Sequence, residues 1–517
     1  MFSTLVLLAG VASSAIAYVV NNGTACYVYP ESLTHFGQPV DDTPSILHAF
    51  ELCGTNGSVI FQNYTYNINQ VMNTTGLVNC DVELHGEMRW SDNIPYWLGH
   101  SYSVTYANLS TAWFFGGENV TFKGFGKGQF YGNGQAWYNE NRNNSNQPGR
   151  PIGFTILNAK NLWMDGVSWR QAQFWHSFVS HSQNVTMSNI YMNSTSNNTW
   201  FTVNTDGTDT WNSRDIFFYN WTVEGGDDCI AIKGNSTNIV SRNITCYRTH
   251  GMPIGSVGQD PTHPDFVRDI VYEDVHLIDS TNGAWIKAWQ GKATDITNNG
   301  QAGGGGGGSI TNVTYRNFRF ENVGQPISIT QCVYGHDSSV CDTSQLQISN
   351  VTWENITGTS HFDVASVIHC SPLVPCPGLK FIDVNITTVN ASLGRPSLPQ
   401  VNLCANMVDQ NATGEDATGI PCHGFAPNDM PNVLYRNWPE LLSEVILSVT
   451  VPEAQRDNCL HPGPDAAAAG SVGCAEAGSG QGELKHHDDD DEEEEEEGKV
   501  VVVVVVAAYQ QKLNSSK

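Results

Sequence analysis

Three stretches carry one pattern: Asn161-Leu162-Trp163-Met164-Asp165-Gly166-Val167, Asn184-Val185-Thr186-Met187-Ser188-Asn189-Ile190 and Asp215-Ile216-Phe217-Phe218-Tyr219-Asn220-Trp221. Each opens on Asn or Asp, alternates apolar residues, turns on Asn, Asp or Gly, and resumes with an apolar residue. Further copies begin at Asn119, Asn238, Asp269, Asn312 and Asn350. From Asn161 through Asn184, Asp215 and Asn238 to Asp269, a shorter step between starts alternates with a longer one of constant length. A β-sandwich would bring a new strand about every 8–12 residues, sooner than either step. Short period-2 strands returning at these longer intervals predict an all-β solenoid, a single-stranded parallel β-helix. One coil cannot bury its apolar face alone; stacked coils share one core, and the turn Asn residues can hydrogen-bond as ladders. Gly303–Gly308 reads as a flexible surface loop between coils. No Lys-Ser/Thr pair follows it, so it is not a phosphate cradle.

Around this repeat the chain has 517 residues, with 51 acidic against 24 basic and a net charge of −27. That balance excludes a nucleic-acid partner, which requires clustered Lys and Arg. An anionic polysaccharide is still allowed where a few cations converge.

Residues 4–17 form a short apolar run ending in Ala15-Ile16-Ala17, which predicts a signal peptide (1–17) cleaved before Tyr18 and an extracellular protein without a membrane anchor. About twenty Asn-x-Ser/Thr sites agree with export. Thirteen cysteines suggest disulfides, with Cys229/Cys246, Cys332/Cys341 and Cys370/Cys376 as close pairs and Cys474 as the one left over. No CxxC or HExxH is present, so neither metal nor cofactor is expected. Residues 18–464 are read as the catalytic solenoid. Residues 465–517, with Asp488–Asp491, Glu492–Glu497 and Val500–Val506, read as a disordered acidic tail.

The chemistry-bearing stretch runs from Asn204-Thr205-Asp206-Gly207 through Gly225-Gly226-Asp227-Asp228-Cys229 to His250-Gly251-Met252-Pro253-Ile254-Gly255-Ser256. The steps from Asp206 to Asp227 and from Asp227 to His250 are both near the shortest repeat step. One coil returns the chain to the same face about 4.8 Å along the axis. The three segments are therefore expected to stack into one patch of carboxylates and imidazole. Crowded carboxylates oppose one another's ionisation, so one can stay an acid while a neighbour is a base. Glycosidic cleavage needs that division.

These segments, with Gly132-Asn133-Gly134-Gln135-Ala136-Trp137 before them and Trp285-Ile286-Lys287 after, resemble the polygalacturonases of glycoside hydrolase family 28, over roughly residues 110 to 390. The resemblance implies a right-handed parallel β-helix that hydrolyses α-1,4-galacturonosyl links of pectin with inversion. It makes Asp227 the general acid, sets Asp206 and Asp228 on the attacking water, and gives His250 the tuning of the site's charge. Lys287 would pair with a galacturonate carboxylate, and Asn204, Trp285 and Tyr334 complete the substrate contacts. Trp285 stands where endo-acting members carry Arg, and Thr249 where they carry Gly. Ile232-Lys233-Gly234-Asn235 and Ile286-Lys287-Ala288-Trp289 look more like fungal exo-acting members. A monomeric enzyme acting on pectic polysaccharide is expected. Exo-rhamnogalacturonan or xylogalacturonan hydrolysis, endo-polygalacturonase action, a pectate lyase and a non-enzymatic wall-binding β-helix remain as alternatives.

Overall fold

A computed structural model describes residues 19–33, 40–145, 147–293, 302–333, 338–389, 401–408 and 419–424. The signal segment, Tyr334, Cys474 and the acidic tail lie outside the described residues. The strands stack in parallel, coil on coil, as a right-handed parallel β-helix. Leu162, Val185, Ile216, Ile239 and Ile270 stand opposite one another, each one coil above the last. Each directly follows the Asn or Asp that opens its copy of the repeat, so the alternating short and long steps are alternating coil lengths. Coiling also begins earlier than the repeat is legible, since Ser58–Phe61 already pairs in parallel with part of Met72–Leu84.

The period is set by what each position must do. The Leu162–Ile270 row is buried, and Val313, Val351 and Leu379 continue it. A second inward row, Tyr272, Tyr315, Trp353 and Phe381, stacks ring on ring at 5.3, 6.0 and 4.6 Å between centroids. At the corner the chain turns through a left-handed residue, which Asn tolerates better than other side chains. Asn56, Asn79, Asn119, Asn161 and Asn184 all have φ between 49° and 59°. Each amide from Asn79 onward donates to the side-chain oxygen of the Asn one coil below, at 2.8–2.9 Å.

The helix Thr43–Cys53 packs at the first coils and is tied there by Cys26–Cys53. The three cysteine pairs expected from spacing form, and Cys404–Cys422 adds a fifth bridge. Among the described residues Cys80 keeps a free, buried thiol. The Gly303–Gly308 segment departs from the expected flexible loop. Gly304, Gly305 and Gly306 donate backbone hydrogen bonds to Gln259, Gln290 and Gly258, and Gly308 pairs with Asp265. A Cβ at Gly308 would meet the Asp265 carbonyl at 1.8 Å, so the glycines serve close backbone packing. Among the described residues no helix is long and apolar enough to cross a membrane.

Candidate active site

One column of short strands carries the chemistry: Ser177–Ser180, Thr208–Trp211, Ile230–Ile232, Met252–Val257 and Asn282–Ala288, each in parallel register with the next. Val179, Thr210, Ile232, Ile254 and Ile286 point inward, so residues one position away face outward. The site lies where the chain enters these strands. Thr208 pairs with Ile230, and the same register carried back along both chains sets Asp206 opposite Asp228. The bridge between Val203 and Gly226, carried forward, sets Asn204 opposite Asp227. One extra residue on the Asn204 side reconciles the two as a bulge in the register. Asp206 and Asp227 are therefore not register partners, as their near-repeat spacing suggested.

The cluster still forms. Carboxylate oxygens of Asp227 and Asp228 and a ring nitrogen of His250 lie within 4.8 Å of one another, as do oxygens of Asp206, Asp209 and Asp228. Asp228 is common to both groups. Asp206 and Asp228 are 2% and 1% exposed, whereas the Asp227 side chain is 15% and that of His250 41% exposed. Asp227 is thus the carboxylate nearest the surface, with the other two buried.

Each oxygen of Asp227 is held. His250 Nδ1 lies 3.1 Å from Oδ1, and Asn204 Nδ2 donates to Oδ2 at 3.1 Å. The Asp228 backbone N–H donates to Oδ1 at 2.9 Å, and Ser145 Oγ fixes Asn204 by donating to its Oδ1 at 2.9 Å. Lys287 Nζ donates to Asp228 Oδ2 at 2.6 Å and sits 4.7 Å from the Trp285 ring centroid. Lys233 Nζ, buried, pairs with Asp209 at 2.9 Å and lies 3.8 Å from Asp228. Asp228 therefore sits between two buried ammonium groups. Asp206 Oδ1 and Asp228 Oδ1 have no hydrogen-bond partner among the described residues.

The charges are divided accordingly. Burial, and then the nearby carboxylates led by Asp227, raise the Asp206 pKa well above the usual range, so it holds a proton. Burial pushes Asp209 up to about 6 against the pull of Lys233. Burial also works to raise Asp227, but His250, Lys287 and the Asp228 N–H outweigh it and leave Asp227 below the usual carboxylate range. Burial would lower His250; its contact with Asp227 outweighs that and raises it. The surface of the site is an imidazolium–carboxylate pair above a protonated Asp206.

The structure brings Asp206, Asp227, Asp228, His250, Asn204, Lys287 and Trp285 together, with Lys287 turned to Asp228 where the resemblance implied a galacturonate carboxylate. Asp209, Lys233, Arg150 and His176 carried no role in the sequence analysis. Asp209 could have been flagged, because it closely follows Asp206 at the start of the same strand.

The sequence profile of glycosyl hydrolases family 28 matches residues 78–409. The chain belongs to glycosyl hydrolases family 28. Its relatives cover most of its length. It is 34% identical over 429 residues to the alpha-L-rhamnosidase rgxB of Aspergillus niger, spanning 82% of this chain and 96% of that protein. It is 36% identical over 426 residues to a putative galacturan 1,4-alpha-galacturonidase A of Aspergillus flavus, spanning 77% and 96%. An exopolygalacturonase of Cochliobolus carbonum is 32% identical, over 72% and 83%. Among solved structures, the endo-xylogalacturonan hydrolase of Aspergillus tubingensis shares the fold with a TM-score of 0.65 at 23% identity, covering 78% of this chain and all of that one. The chain is a pectin-degrading glycoside hydrolase of this family.

Proposed function

We propose that this family 28 enzyme is secreted and acts as a monomer, releasing galacturonate from the ends of polygalacturonate by acid/base hydrolysis with inversion. The observation that carries the reading is the joining of Asp206, Asp227, Asp228 and His250 on successive coils, with Asp227 alone of the three carboxylates near the surface. Asp227 delivers the proton to the glycosidic oxygen. That proton resides on the His250–Asp227 pair. Substrate covering the groove strips water from the ion pair and favours its neutral form, which moves the proton to Asp227 along the 3.1 Å contact. Asp206 and Asp228, each with one oxygen that has no partner among the described residues, hold the attacking water. Asp228 takes the water's proton, and Asp206, which keeps its own, orients that water.

Relatives named as galacturonidases and exopolygalacturonases support release from a chain end. A second reading, removal of terminal rhamnose, is favoured by one observation. Lys287 is committed to Asp228 and the position two residues earlier is Trp285, so this wall offers a ring face where a uronate clamp would stand. The relative named as a rhamnosidase agrees with it. A product time course on polygalacturonate and on rhamnose-ended rhamnogalacturonan decides. Galacturonate monomer from the first time point supports exo-polygalacturonase; rhamnose alone supports the second reading. A ladder of oligomers means endo action, unsaturated products mean a lyase, and no new reducing ends would end both readings.

A further inference from the structure

Arg150 is buried beneath the acid cluster, 1% exposed, and is joined to two turns of backbone. Its Nε donates to the Gln173 carbonyl at 2.6 Å and its Nη2 to the Val203 carbonyl at 2.8 Å, with the guanidinium 5.0 Å from the Phe174 ring centroid. Val203 is the residue before Asn204, whose amide holds Asp227. The far end of the same turn is held by His176, also fully buried. Its ring Nδ1 lies 2.8 Å from the Asp206 carbonyl, and its backbone N–H donates to that same oxygen at 2.9 Å. A carbonyl only accepts, so Nδ1 carries the proton and Nε2 accepts from Ser194 Oγ at 2.9 Å. Burial pushes His176 down to about 4, so the imidazole is neutral and Arg150 supplies the charge in this support. Arg150 Nη1 has no hydrogen-bond partner among the described residues, and the cation interacts electrostatically with Tyr138, Asp206 and Asp227.

We propose that Arg150 is a positioning residue for the hydrolytic reaction: its two-armed grip sets the Val203–Asp206 turn, and its buried charge favours the ionised forms of Asp206 and Asp227. The proposal rests on the assignment of Asp227 as the acid. The other charges facing Asp227 are Asp206, Asp228, Lys287 and His250, and those facing Asp206 are Asp227, Asp209, Asp228 and Lys233, all retained when Arg150 is changed. The test is the pH dependence of kcat for Arg150→Met and Arg150→Lys beside the wild type and Asp227→Asn. Without the cation each carboxyl holds its proton more tightly, so both limbs of the Arg150→Met profile move to higher pH. Its kcat falls by about 10²-fold at little change in KM, as expected for misplaced groups. Arg150→Lys keeps the charge but not the fork; it keeps the wild-type limbs and loses kcat. Limbs that stay put in a folded Arg150→Met protein overturn the charge role. A kcat within twofold of wild type in either variant overturns the positioning role. Should Arg150→Met not fold, Arg150→Lys carries the test: displaced limbs or an undiminished kcat defeat the proposal. An active Asp227→Asn protein would instead strike the acid assignment, which separates the two failures.

Discussion

Lys287 Nζ lies 2.6 Å from Asp228 Oδ2, with both side chains shut away from solvent. Two coils separate these residues, yet the strands Met252–Val257 and Asn282–Ala288 bring the ammonium down onto the carboxylate. The consequence is electrostatic. Lys287 and Lys233 surround the Asp228 side chain with positive charge where Asp206, Asp209 and Asp227 crowd it with negative.

Replacing Lys287 therefore strikes catalysis before binding. Had the lysine only anchored a substrate carboxylate, its loss would raise KM and spare kcat. Tied to Asp228, Lys287→Ala lowers kcat by about 10²-fold, because the base loses its counter-ion and its place. Removing one partner of a buried pair also costs about 3 kcal/mol of stability. Steady-state kinetics and a urea melt check both, and a pure KM effect in a protein of wild-type stability refutes the pairing role.

Asp227→Asn separates proton delivery from shape. Asparagine has one carbonyl oxygen, so it can keep either the Asn204 contact, made to Oδ2, or the Asp228 N–H contact, made to Oδ1, and it has no acidic proton to give a leaving oxygen. Turnover on polygalacturonate falls by about 10³-fold or more, while a bound oligosaccharide titrates with nearly unchanged affinity. Turnover within tenfold of wild type would remove Asp227 from the acid role.

The solenoid was readable because each coil must supply an apolar residue to every inward row and a left-handed residue to every corner. Leu162, Val185 and Ile216 show the first demand, Asn161 and Asn184 the second. The patch was readable for the same reason, since coil length alone brings Asp206, Asp227 and His250 to one side. The one-residue bulge between Asn204 and Thr208 was not, because an extra residue in a turn leaves no compositional mark. Nor was the partner of Lys287, as a lysine that faces substrate and one that faces Asp228 occupy the same position in the repeat. Arg150 was hidden more deeply. Its partners are backbone carbonyls at Gln173 and Val203, and a carbonyl has no side-chain signature.

The Asn ladder makes a separate claim about stability. Asn161 donates to Asn119 and accepts from Asn184, and it holds φ at 59°. Asn161→Ala loses both bonds and leaves in the left-handed region a residue without the polar side chain that makes it tolerable to asparagine, for about 2–3 kcal/mol in all. Asn161→Gly loses the same bonds without that conformational penalty and is more stable than the alanine variant by about 1 kcal/mol. Urea denaturation of the pair gives the ordering, and an alanine variant as stable as the glycine one would mean that the corner conformation contributes nothing.

The buried titrating groups set how stability responds to pH. A group that binds its proton more tightly when folded contributes stability that is present below its unfolded pKa and lost as pH rises through its folded pKa. Asp42 and Asp209, both raised to about 6, act in this sense between about pH 4 and 6. His176 and His369 oppose them over much the same window. Burial lowers each to about 4, so folding becomes easier as pH rises from there to the ordinary histidine value. Above about pH 6.5 these four are spent. Asp206, held well above the carboxylate range by burial and its neighbours, and His250, raised by Asp227, then remain. Both have the same sign, and each removes up to about 1.4 kcal/mol per pH unit while it titrates. The melting temperature therefore falls as pH rises above the ordinary histidine value, and Asp206→Asn makes that decline shallower because an amide has no proton to lose. Calorimetric scans above that value measure it, and a wild-type melting temperature that climbs there would contradict the assignment of the proton to Asp206.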